Sequence, residues 1–136
     1  AKVLQRLGSK HVMVVHSEDG LDEISIAAPT FVVELKDGEI CEYKIDPDDY
    51  GLSHKSLEPL VVKDAPGSLE LIKEAFAGVP GAPLDMLLIN AGAALYCANL
   101  AQDLGAGIEK ARQVIANGGA QQKFEDLIQL TQELNA

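Results

Sequence analysis

No run of apolar residues in this chain approaches the roughly 18 that a membrane-spanning helix needs, and no secretory signal peptide is visible. Cysteine is scarce. Cys41 and Cys97 lie far apart, without metal-ligand spacing, which fits two reduced and mostly buried thiols in a cytosolic protein. Basic residues are outnumbered: 11 Lys+Arg stand against 21 Asp+Glu, for a formal net charge of −10. That balance excludes nucleic acid and anionic membrane as partners recognised through bulk electrostatics. It leaves room for phosphate ligands, whose charge magnesium and backbone N–H groups can meet locally. Also missing are a G-x-G-x-x-G loop, a Walker loop, an internal repeat and a low-complexity linker. What is present is 136 residues, enough for one domain with a real core.

The pattern along the chain alternates strands and helices. Val3, Leu4 and Leu7 have helical spacing, and Gly8 is placed to end that helix. Ala1 then falls in what reads as the middle of a helix, the expectation for a fragment or a cleaved chain. Val12-Met13-Val14-Val15 is a continuous apolar run, expected to be a central strand covered on both faces. A helix feeding such a strand is half of a βαβ unit, so the sheet is expected to extend beyond this chain. Ile24-Ser25-Ile26 suits a short extended piece, and Pro29 marks a break.

Thr30 to Leu35 and Glu39 to Ile45 are β-rich runs joined through Asp37-Gly38, a strong hairpin signal. Phe31, Val33 and Leu35 alternate with Val32, Glu34 and Lys36, so the hairpin is expected to have one wet face. Asp46 is expected to cap a short turn with Pro47 at its first position, which accounts for the acids there better than metal binding does. Helices are expected near 66–77, 84–102, 107–117 and 120–134, covering the sheet. The second of these is apolar nearly all round, with Ala91, Gly92, Ala93 and Ala94 permitting close approach of a neighbour. Leu104-Gly105 reads as a break after it. In the last helix Phe124, Leu127, Ile128 and Leu130 are expected to face inward.

Chemistry concentrates in His16-Ser17-Glu18-Asp19-Gly20-Leu21-Asp22-Glu23. Here a buried strand opens into an acidic, glycine-containing loop, the arrangement found at the ligand edge of α/β sheets. Asp22-Glu23 could offer hard oxygen ligands to magnesium, which usually takes only one or two carboxylates and fills its shell with water and substrate phosphates. A solvated acidic loop fits the same spacing. His16 could act as an acid or base, but with no partner in sequence a structural role accounts for it better. His11 and His54 have still less context.

Val14 to Ile24 resembles the V-H-G-x-D-G-L-D-E-[IL] signature of anthranilate phosphoribosyltransferase. Phe31-Val32-Val33-Glu34-Leu35 through Gly38-Glu39-Ile40 to Asp49-Tyr50-Gly51-Leu52 looks like the next block of that family. Leu88-Ile89-Asn90-Ala91-Gly92-Ala93-Ala94-Leu95-Tyr96 is similar to its L-L-N-A-A-A-A-L-Y helix. The match runs in register along the chain and corresponds to the C-terminal part of the family's sequence. Ser17 departs from the pattern, standing where the family has glycine, and serine adopts φ > 0 less freely.

The resemblance implies an α/β fold: residues 1–136 as the C-terminal part of a phosphoribosyltransferase domain, with a mostly parallel sheet, an antiparallel hairpin and covering helices. It implies attack of anthranilate on phosphoribosyl pyrophosphate in tryptophan biosynthesis, by an enzyme that is a cytoplasmic homodimer at full length. Asp22 and Glu23 match the family's Mg2+-binding carboxylates, touching substrate only through the metal. No other catalytic residue is implied within this stretch, because the family's phosphate loop and anthranilate contacts lie earlier in its chain. The chain alone is therefore expected to be inactive. Two alternatives stay open: a pyrimidine-nucleoside phosphorylase-like enzyme, and a non-catalytic ligand-binding paralogue. The Gly20-Leu21-Asp22-Glu23 loop disfavours the first, and the intact carboxylate pair the second.

Overall fold

Three strands, β1 (His11–Ser17), β2 (Thr30–Lys36) and β3 (Glu39–Ile45), form one sheet in that order. The computed structural model that shows them describes residues 1–134. Both pairings are antiparallel, with His11 opposite Lys36 and Ser17 opposite Thr30 in the first, and Thr30 opposite Ile45 in the second. The connections explain the direction. Parallel neighbours need a crossover, usually helical, whereas residues 18–29 between β1 and β2 contain no helix. The β2–β3 turn has φ values of 51° at Asp37 and 87° at Gly38, a left-handed pair that suits a tight hairpin. Among the described residues, then, the sheet is antiparallel, and the expected parallel pairing is not seen.

The expectation that Val12–Val15 is central, covered on both faces, is also corrected. β1 is an edge strand of this sheet and β2 is the central one. Met13 and Val15 pack toward the core, but Val14, on the other face, is 41% exposed. The apolar run had suggested two covered faces. The second face is covered only in part: Leu35, opposite Val12, is fully buried, whereas Val14 is open.

Five helices complete the fold: α1 (Lys2–Arg6), α2 (Ala65–Phe76), α3 (Ala82–Cys97), α4 (Leu104–Ala116) and α5 (Gly119–Leu134). The expectation that all the later helices cover the sheet holds chiefly for α3, which lies against β1. α4 and α2 pack on α3, and α5 packs on α4 and α2. The core joins Val32 and Ile45 of the sheet to Leu84, Leu88 and Ile89 of α3 and to Leu104 and Ile108 of α4. Ile24 and Ile26 plug into it at 2% and 0% exposure. They do so from a loop; the expected extended piece at 24–26 makes no strand pairing.

Helix ends follow local chemistry. Asp64 caps α2 by accepting from the Gly67 N–H at 2.9 Å, and Asp46 caps the 3-10 turn Pro47–Tyr50, as expected for that aspartate. α3 stops at Cys97, short of the expected 102, because Asn99 takes φ 56°. The Leu100 N–H then donates back to the Leu95 carbonyl at 3.0 Å and the Asn99 N–H to Tyr96 at 2.9 Å, closing a Schellman motif. Leu104-Gly105 is not a break but the first turn of α4, capped by Asp103 accepting from the Ala106 N–H at 2.8 Å. α5 departs furthest from expectation. Phe124 is half-buried against Phe76, with ring centroids 5.6 Å apart, whereas Leu127, Ile128 and Leu130 are exposed. Phe124, near the start of α5, is the residue whose ring meets α2.

Candidate active-site loop

The acidic loop leaves the carboxyl end of β1 and is closed at its base by three hydrogen bonds. The Glu18 N–H donates to the Pro29 carbonyl, the Ser17 N–H to Leu21 and the Gly20 N–H to Ser17, each at 3.0 Å. The left-handed residue in this turn is Gly20, at φ 94°. Ser17 is the fully buried last residue of β1, with no positive φ, so serine in place of the family's glycine costs the turn nothing.

The structure sorts the loop's four carboxylates by role. Glu18 pairs with Lys44 at 2.6 Å, an exposed contact worth little in stability. Asp19 braces the loop from within. Its carboxylate accepts from the Ser25 hydroxyl at 2.5 Å and the Leu21 N–H at 3.3 Å. Burial would raise its pKa, but hydrogen bonds from Ser25, Ser17 and Leu21 outweigh that and hold it below the ordinary aspartate value. Ser25 is fixed in turn, its N–H donating to the Thr30 hydroxyl at 3.1 Å. Asp22 and Glu23 are left at the tip, both exposed, and among the described residues neither makes a hydrogen bond or ion pair. Their oxygens remain available to a cation.

That donor set fits magnesium as the protein usually holds it, through one or two carboxylates with the remaining shell left to water and phosphate oxygens. Among the described residues no group of three or more His, Cys, Asp or Glu side chains is gathered as a closed metal cage. His16 is exposed at the end of β1, opposite Phe31, and no hydrogen bond or ion pair joins it to the acidic pair.

Two residues outside the loop hold its far end, Asn90 by its side chain and His54 by its backbone. The Asn90 amide of α3 accepts from the Ile24 N–H at 3.0 Å and donates to the Ile24 carbonyl at 2.8 Å. The His54 N–H donates to the Ile26 carbonyl at 2.7 Å, and the His54 ring bonds Asp85 of α3 at 2.8 Å. Beside Glu23 and Asn90 a mostly apolar groove of about 850 Å³ opens, walled by Leu60, Ile72, Met86 and Phe124. Sequence reading gave His54 no role and met Asn90 only as part of a family-like helix motif, without assigning it a contact; an amide among the apolar residues of α3 was a further signal.

His11, which had no context in the sequence, has partners in the structure. It lies on the inner face of β1 and donates through Nε2 to the buried Glu34 carboxylate at 2.8 Å. The Tyr43 hydroxyl donates to the same carboxylate at 2.9 Å, and the Tyr96 ring stands edge-on to His11 at 4.7 Å. Glu34 shares the face of β2 that carries the core residue Val32, and Leu35 on the opposite face is also fully buried at this end.

Comparison with known proteins gives a consistent result. Residues 1–121 match the family model described as "Glycosyl transferase family, a/b domain". The chain is 53% identical over 137 aligned positions to the anthranilate phosphoribosyltransferase of Stutzerimonas stutzeri, covering 96% of this chain and 39% of that protein. It therefore spans about two-fifths of the length of the curated relatives it matches. Among solved structures, the Thermus thermophilus anthranilate phosphoribosyltransferase superposes with a TM-score of 0.79 at 31% identity, covering 92% of this chain and 36% of that one. The Saccharomyces cerevisiae enzyme in complex with PRPP and Mg superposes with a TM-score of 0.72, covering 85% of this chain and 34% of that one. At 23% identity it shows a shared fold alone.

Proposed function

The chain belongs to the glycosyl transferase family, a/b domain, and from that premise we propose that residues 1–136 are the C-terminal part of an anthranilate phosphoribosyltransferase. The full-length enzyme transfers the phosphoribosyl group of phosphoribosyl pyrophosphate to anthranilate, in tryptophan biosynthesis. The anthranilate nitrogen forms a bond to the anomeric carbon as the bond to pyrophosphate breaks; pyrophosphate departs with the electron pair, and the amine nitrogen gives up one proton to solvent. The observation that carries this reading is the Gly20-Leu21-Asp22-Glu23 tip. It presents two unpartnered carboxylates beyond the carboxyl end of β1, in a chain similar throughout its length to proteins of that name.

In this reading Asp22 and Glu23 hold a magnesium ion on the pyrophosphate. When bound, the metal supplies positive charge against the leaving group and fixes its orientation. The residues described here contribute the rest of the loop's function. Asp19 and Ser25 brace it, Gly20 turns it, and β1 anchors its base on the core. The second edge of β1 takes a parallel strand from the remainder of the enzyme, which gives the strand its central place in the completed sheet. The working enzyme is a cytoplasmic homodimer.

Anthranilate fluorescence tests the reading in the full-length protein. Quenching should require phosphoribosyl pyrophosphate and magnesium together. Phosphorolysis of a pyrimidine nucleoside without any response to anthranilate would assign it to the phosphorylases instead. Binding of either ligand with no turnover would make it a non-catalytic paralogue.

A further inference from the structure

We infer that Asn90 is a positioning residue for the metal-holding pair, its side-chain amide fixing the backbone that carries Glu23. The inference rests on the proposed role of Asp22 and Glu23 as cation ligands. Ile24 follows Glu23 directly, and both of its backbone polar groups are engaged by one side chain: the N–H by Asn90 Oδ1 at 3.0 Å and the carbonyl by Asn90 Nδ2 at 2.8 Å. This reproduces the two-bond exchange of a hydrogen-bonded antiparallel residue pair, with an amide in place of a neighbouring strand. The amide is itself oriented, because Nδ2 also donates to the Met86 carbonyl one turn back in α3 at 3.1 Å. A flipped amide would set donor against donor and acceptor against acceptor at Ile24.

Such a clamp matters because adjacent residues on an extended backbone point to opposite faces. Asp22 and Glu23 reach one cation only if the chain between Gly20 and Ile24 is held in a turned path. Gly20 and Asp19 set that path on one side. On the other side, α3 sets it through Asn90, while the buried Ile24 side chain, 2% exposed, adds apolar anchorage but no directionality. Groups that orient metal ligands from outside the coordination shell commonly change affinity by about 10-fold or more when removed.

The test uses the full-length enzyme with Mn2+ as a spin-resonance probe in the presence of phosphoribosyl pyrophosphate. Asn90→Ala, and Asn90→Asp, whose carboxylate repels the Ile24 carbonyl, should each weaken Mn2+ binding about 10-fold. Exchange of the Ile24 amide hydrogen should accelerate, while the KM for anthranilate should hold. Ala111→Gly, a buried change on α4 away from the loop, controls for stability: it should lower the melting temperature and leave Mn2+ binding intact. If one Asn90 variant fails to fold, the other carries the comparison. Wild-type Mn2+ affinity in an Asn90 variant, when Asp22→Asn has lost it, overturns this inference alone. Wild-type affinity in Asp22→Asn as well overturns the metal reading beneath it.

Discussion

Gly92 of α3 and Gly107 of α4 meet backbone to backbone. A Cβ built on Gly107 would collide with the Gly92 carbonyl, and one built on Gly92 would come within 2.7 Å of the Ile108 nitrogen. Neither obstacle is the end of a flexible side chain, so the two helices would have to separate. Gly107→Ala is therefore expected to destabilise the protein by about 1–3 kcal/mol or more. Gly105→Ala meets only ordinary contacts, 3.5 Å from Asp103 and 3.9 Å from Tyr50, and should be neutral or stabilising. Denaturant melts of the two variants decide it; equal midpoints would show that the helices part easily.

The free carboxylates at the loop tip give a second expectation. Asp22→Asn and Glu23→Gln keep size and remove charge from exposed groups, so folding should survive. In the full-length enzyme each should raise the magnesium requirement and slow turnover at low metal. The double variant should lose less than the sum of the singles, because neighbours sharing one ion are coupled. An unchanged magnesium titration in the double variant would reduce the loop to a solvated acidic turn.

Glu34 should make the protein acid-sensitive. Burial pushes its pKa up, but hydrogen bonds from Tyr96, His11 and Tyr43 outweigh this and hold it below the ordinary value of 4.5. A carboxylate depressed on folding contributes stability above its unfolded pKa and loses it as pH falls through the folded value. Glu34→Gln should therefore cost stability at neutral pH, and its deficit against wild type should narrow as pH falls below 4.5. Burial, together with the same carboxylate, pushes the Tyr43 hydroxyl well above its usual range, so Tyr43 stays a donor throughout. A deficit independent of pH would remove Glu34 from the account of acid stability.

The 136-residue chain by itself should bind phosphoribosyl pyrophosphate poorly and turn nothing over. It contains neither a G-x-G-x-x-G nor a Walker loop, so few donors meet the phosphates and a two-carboxylate metal site has little to add to. Calorimetry on the chain should find affinity weaker than micromolar, a level that corresponds to about −8 kcal/mol. Micromolar binding would mean that these residues hold a phosphate site of their own.

The sequence alone determined what local chemistry governs. Asp37-Gly38 specified the hairpin because both residues tolerate φ > 0, and Asp46 specified a start because its carboxylate satisfies an orphan N–H group. The acidic tip, Asp22 and Glu23, was legible for the same reason: it lies in consecutive residues, and its motif carried the family with it. Tertiary structure decided what depends on partners far away in the chain. The strand direction and the edge position of β1 followed from which strand lay beside it, and an apolar run cannot encode that. The exposure of Leu127 and Leu130 is likewise a matter of tertiary packing, which an apolar spacing on one helix does not encode. Asn90 shows the same limit at the candidate site. Its spacing of 66 residues from Ile24 leaves no periodicity to read, and only the packing of α3 against the loop makes its amide the second strand that Ile24 lacks.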